Sequence, residues 1–289
     1  MYLKRFSAKF SLAPSNHLAP CIILSLRTIL STGSPLAEET FHWVYKNVKS
    51  DLQLSSISGG TDIISCFMLG NPTLPVYSGE IQCKGLGMKV ESFNEKGDPV
   101  IGAKGELVCT EPFPSMPVYF WDDESGEKYR KAYFDKFPGV WTHGDYIEIT
   151  ENGGIKVYGR SDATLNPGGV RIGTSEIYRI VEELDEIQDS LAVGKKWNGD
   201  EKVILFVSLN EGIELDHTLV EKIKTDLRLK ATPRHVPSEI FQVKEIPRTI
   251  SGKKVEIAVS KILNGEEVEN KDALANPYSL DQFRKFGKE

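Results

Sequence analysis

Four short stretches of this sequence bring together residue types that a fold does not need for its own sake. In Ser58-Gly59-Gly60-Thr61-Asp62, two glycines let a backbone come close to a ligand, and the hydroxyl and carboxylate that follow could meet a phosphate and its Mg2+. A plain strand-to-helix turn accounts for the same residues. In Trp141-Thr142-His143-Gly144-Asp145, a carboxylate after a glycine can accept hydrogen bonds from paired ribose hydroxyls, or simply mark a strand-entry turn. The segment GRSDATLNPGGVR places Arg160 and Arg171 eleven residues apart around Gly168-Gly169. The fixed fork of guanidinium donors suits phosphate and ribose, and a mere spacer has little use for so many special residues. In PRTISGKK, Lys253 stands on a Ser-Gly turn as a mobile point charge able to reach an oxyanion, although a single surface lysine is ordinarily just solvated.

Other chemistries find no footing. The phosphate loop GxxxxGK[ST], the dinucleotide pattern GxGxxG, HExxH and a Ser-His-Asp order are all missing from the 289 residues. The five histidines (17, 42, 143, 217 and 235) have no metal-ligand spacing, and His143 reads as a strand-side packing residue rather than a base. The four cysteines (Cys21, Cys66, Cys83 and Cys109) are scattered without a CxxC pair, which reads as a reduced, intracellular protein.

The elements that must position these stretches follow three grammars. Arg27–Ser31 reads as a strand, Thr32-Gly33-Ser34-Pro35 as a turn with Pro35 in the first turn of a helix, Ala37–Val48 as that helix, and Leu52–Ile57 as a second strand. Strand–helix–strand is the beginning of a mostly parallel sheet. From Gly79 to Gly159 the runs GEIQC, MKVESFN, GELVCTE, YIEIT and IKVYG are short and alternating, with a hairpin signal at Glu151-Asn152-Gly153-Gly154. They predict an antiparallel, barrel-like β unit. After Arg160 the pattern becomes α+β: a helix over Glu176–Ile187, strands SLAVGKKW and KVILFVSL joined at Asn198-Gly199-Asp200, a helix over Leu219–Leu229, a strand SEIFQVKEI and a final helix over Val255–Leu263. These helices and strands read as a complete two-layer set. The tail after Gly265 is polar, and partial order is expected of it.

The expected class is therefore α/β plus α+β. Residues 1–161 form one domain, with a sheet end over 22–78 and the β unit over 79–161; residues 162–289 form a smaller one. Composition is that of a globular protein, 40% hydrophobic and 26% charged. The net charge of −6 disfavours a nucleic-acid partner, and no apolar run is long enough to span a membrane. A cytosolic location is the expectation. Residues 1–37 hold no Asp or Glu but carry Lys4, Arg5, Lys9 and Arg27, a pattern that a mitochondrial transit peptide would also give. Two strands are too few to bury both faces of a parallel sheet, so the chain reads as the later part of something longer.

Taken in order, STGSPL, SGGTD, THGD, GRSDATLNPGGVRIGTSEI and PRTISGK resemble the acyl- and aryl-CoA synthetases, the adenylate-forming ligases that include firefly luciferase and peptide-synthetase adenylation domains. Each motif is weak alone; five in order are specific. SISGGTD, RIGTSEIYRIVE, TPRHVP with SGKKVE, and the long tail resemble most the branch that takes acetoacetate.

The resemblance implies ATP, CoA and acetoacetate as substrates, with Mg2+. An acyl-adenylate forms first; the small domain then turns and CoA thiolate attacks it. By motif, Gly33, Ser34 and Pro35 would line the adenine, and Gly59 and Gly60 would lie near the acyl group and the adenine. Thr61 would contact the α-phosphate and Asp62 would assist Mg2+. Asp145 would hold the ribose hydroxyls with Arg160 beside it, and Asp162 would be the hinge. Gly168 and Gly169 would let the pantetheine pass, Arg171 would meet the phosphate, and Lys253 would stabilise charge during adenylation. Many members carry Glu where Asp62 stands. The upstream loop of type [ST]SG[ST]TGxPK does not occur here. The chain resembles roughly the last two-fifths of a full member. A ligase for another short acid, and a non-catalytic nucleotide- or CoA-binding fragment, are the competing expectations.

Overall fold

The computed structural model describes residues 25–268 and 271–287. Contacts divide them into two units. One takes the described residues up to His143 together with Ile147–Val157; the other takes Gly144–Tyr146 and the described residues from Tyr158 onward. The basic residues Lys4, Arg5 and Lys9 of the transit-peptide expectation lie outside the described residues, as does Cys21.

The first unit opens on strand–helix–strand. Strand β1 (Thr28–Ser31) pairs in parallel with β2 (Gln53–Ser56), and helix α1 (Glu38–Asn47) crosses between them. Phe41 and Val44 of α1 are buried against Leu52 and Leu54, and Glu38 and Glu39 sit in its first turn, where the helix dipole favours acids. Ala37 is the N-cap, so Pro35 precedes the helix rather than lying in its first turn.

The segment after β2 departs from expectation. Ser58–Gly60 is itself a strand, β3, antiparallel to β4 (Ser65–Leu69), which pairs with β5 (Cys83–Lys84). A hairpin stands where a strand-to-helix turn was expected. The alternating runs form β6 (Val90–Phe93), β7 (Lys104–Cys109), β8 (Trp141–Ile149) and β9 (Ile155–Arg160), a four-stranded sheet in that order, with helix α2 (Glu127–Tyr133) between β7 and β8. The hairpin at 151–154 is present: Thr150 N donates to Gly154 O at 2.8 Å, and Gly153 takes φ +80°. An antiparallel bridge between Ile81 and Ile155 ties the preceding segment to β9. Ile63, Phe67, Val90, Leu107, Trp141 and Ile147 share one core.

In the second unit, β10 (Ile187–Trp197) and β11 (Asp200–Leu209) form an antiparallel hairpin whose last pair is Trp197 with Asp200. The two linking residues, Asn198 and Gly199, have φ +49° and +79°, the left-handed pair a tight hairpin turn demands. Strand β12 (Glu239–Gln242) adds in parallel to β11. Helix α3 (Thr174–Val181) is shorter than expected and starts earlier. The Glu176 carboxylate reaches back to Gly173 N at 2.9 Å, closing the N-terminus, and residues 182–186 turn so that Ile187 can enter the sheet. Helix α4 (His217–Lys230) is capped by Asp216, whose carboxylate accepts from Leu219 N at 2.8 Å; helix α5 (Glu256–Leu263) follows.

The sheet is covered on both faces. Ala192, Val203, Leu205 and Val207 face α3 and α4, while Leu191, Val193, Ile204 and Phe206 face α5 and the chain's end. Burial on both sides explains the unbroken apolar run in KVILFVSL. It also corrects the two-layer reading, and the tail that was expected to be partly ordered contributes to this core. Residues Pro277–Phe286 form 3-10 turns in which Leu280 and Phe283 are buried, Phe283 edge-on to Phe206 at 4.8 Å. Spacing of three suits a 3-10 helix, a period easily read as polar tail. Phe283→Ala is expected to destabilise this unit by about 3–5 kcal/mol, read as a lower urea midpoint with an unchanged slope.

Among the described residues no helix is long and apolar enough to cross a membrane, and Cys66, Cys83 and Cys109 are free.

Candidate active site

Two groups of candidate residues lie in the first unit. Gly33, Ser34 and Pro35 occupy the exposed loop from β1 toward α1, with Gly33 at φ +93°. In the β3 hairpin, a side chain on Gly59 would fall 2.7 Å from the Cys66 Cα. Close approach of the paired strand therefore already requires a glycine at this position. A Cβ on Gly60 would lie 2.9 Å from the His143 imidazole. His143 itself packs against Phe67 at 4.7 Å between ring centres, as its strand position suggested.

Buried Ile63 pins the following turn, and Thr61 and Asp62 are exposed on it. Asp62 is oriented by a residue the sequence reading missed. The Tyr133 hydroxyl donates to Asp62 Oδ2 at 2.6 Å, and the Tyr133 ring stacks on buried Trp141 at 3.7 Å. The only hint in sequence was the aromatic pair Tyr129 and Tyr133, four apart on α2. Among the described residues no three His, Cys, Asp or Glu side chains gather to hold a metal. A single exposed carboxylate beside a hydroxyl fits Mg2+ held jointly with substrate phosphates, the usual habit of that ion.

In the second unit the structure brings Asp145, Arg160 and Asp162 together. Arg160 Nε and Nη2 grip the Asp162 carboxylate at 3.2 and 3.3 Å, and Nη1 lies 3.6 Å from Asp145 Oδ1. Asp145 is the more enclosed carboxylate, 13% exposed against 48% for Asp162. Gly144, at φ +83°, makes room: a Cβ there would sit 3.0 Å from the Arg160 guanidinium carbon. A carboxylate backed by a guanidinium can accept from two neighbouring hydroxyls at once. Arg171 is exposed, its guanidinium 6.0 Å from the centre of the Tyr146 ring.

Gly168 and Gly169 have φ +58° and +78° and are tied down by residues the sequence did not single out. Gly168 N donates to Asp200 Oδ1 at 2.9 Å, while Arg234 donates to the carbonyls of Pro167 and Gly168 at 3.2 and 3.3 Å. The backbone N–H groups of Glu201 and Gly168 hold the Asp200 carboxyl below its ordinary value.

Lys253 is exposed on its own loop, and its neighbour Lys254 is not. Lys254 Nζ donates to Glu182 Oε1 and to Ser190 O, both at 2.6 Å, and lies 3.4 Å from the centre of the Tyr178 ring. Burial pushes the Glu182 carboxyl up, but Lys254 and Ser190 outweigh it and hold the group below its ordinary value. A cavity of about 310 Å3 opens between Arg160, Thr249, Lys254 and α5. Its other walls include Val255, Ile257, Val268 and Leu274, and Lys253 does not line it.

Comparison with known proteins decides the relationship. The chain is 59% identical over 259 residues to the acetoacetyl-coenzyme A synthetase of Rhizobium meliloti (strain 1021), a match covering 90% of this chain and 40% of the relative. It is 54% identical over 273 residues to acetoacetyl-CoA synthetase of Gallus gallus, covering 93% and 41%. The chain is a relative of the acetoacetyl-CoA synthetases. The solved acetoacetyl-CoA synthetase from Streptomyces lividans superposes with a TM-score of 0.85 at 41% identity, over 91% of this chain and 41% of that one. The anthranilate CoA ligase AuaEII, solved with anthranoyl-AMP, shares the fold at a TM-score of 0.68 and 20% identity, over 80% and 43%. No protein-family profile matches the chain. The chain thus spans about two-fifths of the length of the acetoacetyl-CoA synthetases it matches.

Proposed function

We propose that this chain supplies part of an acid–thiol ligase that joins acetoacetate to CoA, using ATP and releasing AMP and pyrophosphate. The observation that carries this is the 59% identity over 259 residues to a curated acetoacetyl-CoA synthetase. In the first half-reaction an acetoacetate oxygen forms a bond to the α-phosphorus as the bond to pyrophosphate breaks. In the second, CoA thiolate forms the carbon–sulfur bond as AMP leaves.

The candidate residues take these roles. The loop of Gly33, Ser34 and Pro35 lies along the adenine, with Gly59 and Gly60 near the acyl group and the adenine. Thr61 donates to the α-phosphate. Mg2+ bound at Asp62 would neutralise phosphate charge, with Tyr133 orienting that carboxylate. Asp145 accepts from the ribose hydroxyls, steadied by Arg160. Gly168 and Gly169 line the path of the pantetheine, and Arg171 meets a phosphate. Lys253 places positive charge where the pentavalent phosphorus gains negative charge, the kind of fixed electrostatic support that carries phosphoryl-type transfer. A hinge at Asp162, between residues 1–161 and 162–289, lets one adenylate meet two partner surfaces in turn. Within 1–161, residues 79–161 would be a barrel-like unit. The partners are small molecules, and the place of action is the cytosol.

For the 289 residues by themselves a second reading, nucleotide and CoA binding without turnover, is favoured by the lack of any [ST]SG[ST]TGxPK stretch. Isothermal titration of the chain with AMP tests the proposed site. Saturable binding is expected, weakened about tenfold or more by Asp145→Ala, since a hydrogen bond to a charged group contributes about 1.5–3 kcal/mol. A folded chain that takes up no AMP would contradict the assignment.

A further inference from the structure

The loop that presents Lys253 is held by buried charges that none of the proposed roles uses. Asp189, on β10, is 5% exposed. Its carboxylate takes a forked grip from Arg248, with Nη2 at 2.9 and 2.7 Å and Nε at 3.2 Å. The same guanidinium donates Nη1 to the carbonyl of Gly252 at 2.6 Å, one residue before Lys253. One residue after it, Lys254 is held by Glu182 and Ser190, and its Nζ lies 3.5 Å from Asp189 Oδ1. The loop closes on itself as well: Thr249 N donates to Lys253 O at 2.9 Å, Lys253 N to Thr249 Oγ1 at 3.0 Å, and Gly252 turns with φ +84°. Both backbone neighbours of an exposed lysine are therefore fastened: Gly252 through Arg248 to Asp189, and Lys254 by hydrogen bonds to Glu182 and Ser190 and by an ion pair to the same Asp189 carboxylate.

We propose that Asp189 is the positioning residue of the ligase's lysine loop: through Arg248 and Lys254 it fixes the backbone on either side of Lys253, so that the long flexible side chain starts from one place. This rests on the proposed role of Lys253. Effective catalysis needs the charged group close to a single productive geometry, and a small misplacement costs orders of magnitude in rate. Four rotatable side-chain bonds leave Lys253 mobile by itself, so a fixed backbone is the part the fold can supply. Glutamate at 189 would keep the charge at a shifted reach; asparagine would keep the size and lose the charge that binds the Arg248 fork.

Two measurements test this. In the 289-residue chain, amide hydrogen exchange of residues 249–253 should quicken at least tenfold in Asp189→Asn, and Asp189→Glu should restore much of the protection. In a full-length chimera, where these residues replace the matching part of the Rhizobium meliloti relative, Asp189→Asn should lower kcat of acid-dependent pyrophosphate exchange at least tenfold. The KM for ATP should stay within about twofold, and thioester formation from supplied acetoacetyl-AMP should be kept. Arg248→Lys should give an intermediate loss. Equal loss in both half-reactions would make Asp189 a general stabiliser and overturn the proposal. So would unchanged exchange at 249–253. If Lys253→Ala leaves pyrophosphate exchange intact, the role of Lys253 fails instead, and the exchange data still judge the anchor.

Discussion

Lys253→Ala in the chimera is expected to lower acetoacetate-dependent pyrophosphate exchange by about 10²–10³-fold, the loss typical when one preorganised donor to developing charge is removed. Thioester formation from supplied acetoacetyl-AMP should be spared. The asymmetry follows from where the residue stands. It lies on an exposed turn of the second unit, beyond the proposed hinge at Asp162, so in the proposed role it would serve the reacting phosphorus in one orientation of that unit only. Its neighbour Lys254 is engaged by Glu182 and Ser190 and cannot take its place. Measuring the two half-reactions separately decides the matter: equal loss in both would remove Lys253 from the adenylation step.

Asp162→Pro is the second large effect expected. Proline fixes φ near −65° and removes a backbone N–H, so a change of φ at this residue is no longer possible. One half-reaction should survive and the other fall by two orders of magnitude or more. The substitution also removes the Arg160–Asp162 ion pair. That pair is half-exposed, and such pairs contribute little, roughly 0–1 kcal/mol. Asp162→Ala controls for it and should retain both half-reactions at reduced rates. Near wild-type rates for Asp162→Pro in both steps would place the hinge elsewhere.

The sequence carried the local grammar well. The βαβ start, the 151–154 hairpin and the Asn198-Gly199 turn depend on residues close in the chain, where turn chemistry and period act directly. The motif residues Asp145, Arg160 and Asp162 were legible as types and meet in one cluster. What could not be read depends on contacts distant in sequence. Gly59 is a glycine because β4 lies against it, and only the pairing reveals that. Asp189, just before the expected strand SLAVGKKW, drew no reading, because its partner Arg248 is fifty-nine residues away. Tyr133 reaches Asp62 across seventy-one residues. The 3-10 period of Leu280, Phe283 and Phe286 imitates a polar tail until Phe206 and Phe241 are placed beneath it.

Release of AMP by the full-length chimera, measured with acetoacetate, ATP, Mg2+ and CoA against the same mixture without acid, is the most direct measurement of whether this chain carries ligase machinery. The expected result is acetoacetate- and CoA-dependent AMP release matched one for one by acetoacetyl-CoA, and lost on Lys253→Ala. A folded chimera that binds AMP yet forms no acetoacetyl-CoA would contradict it.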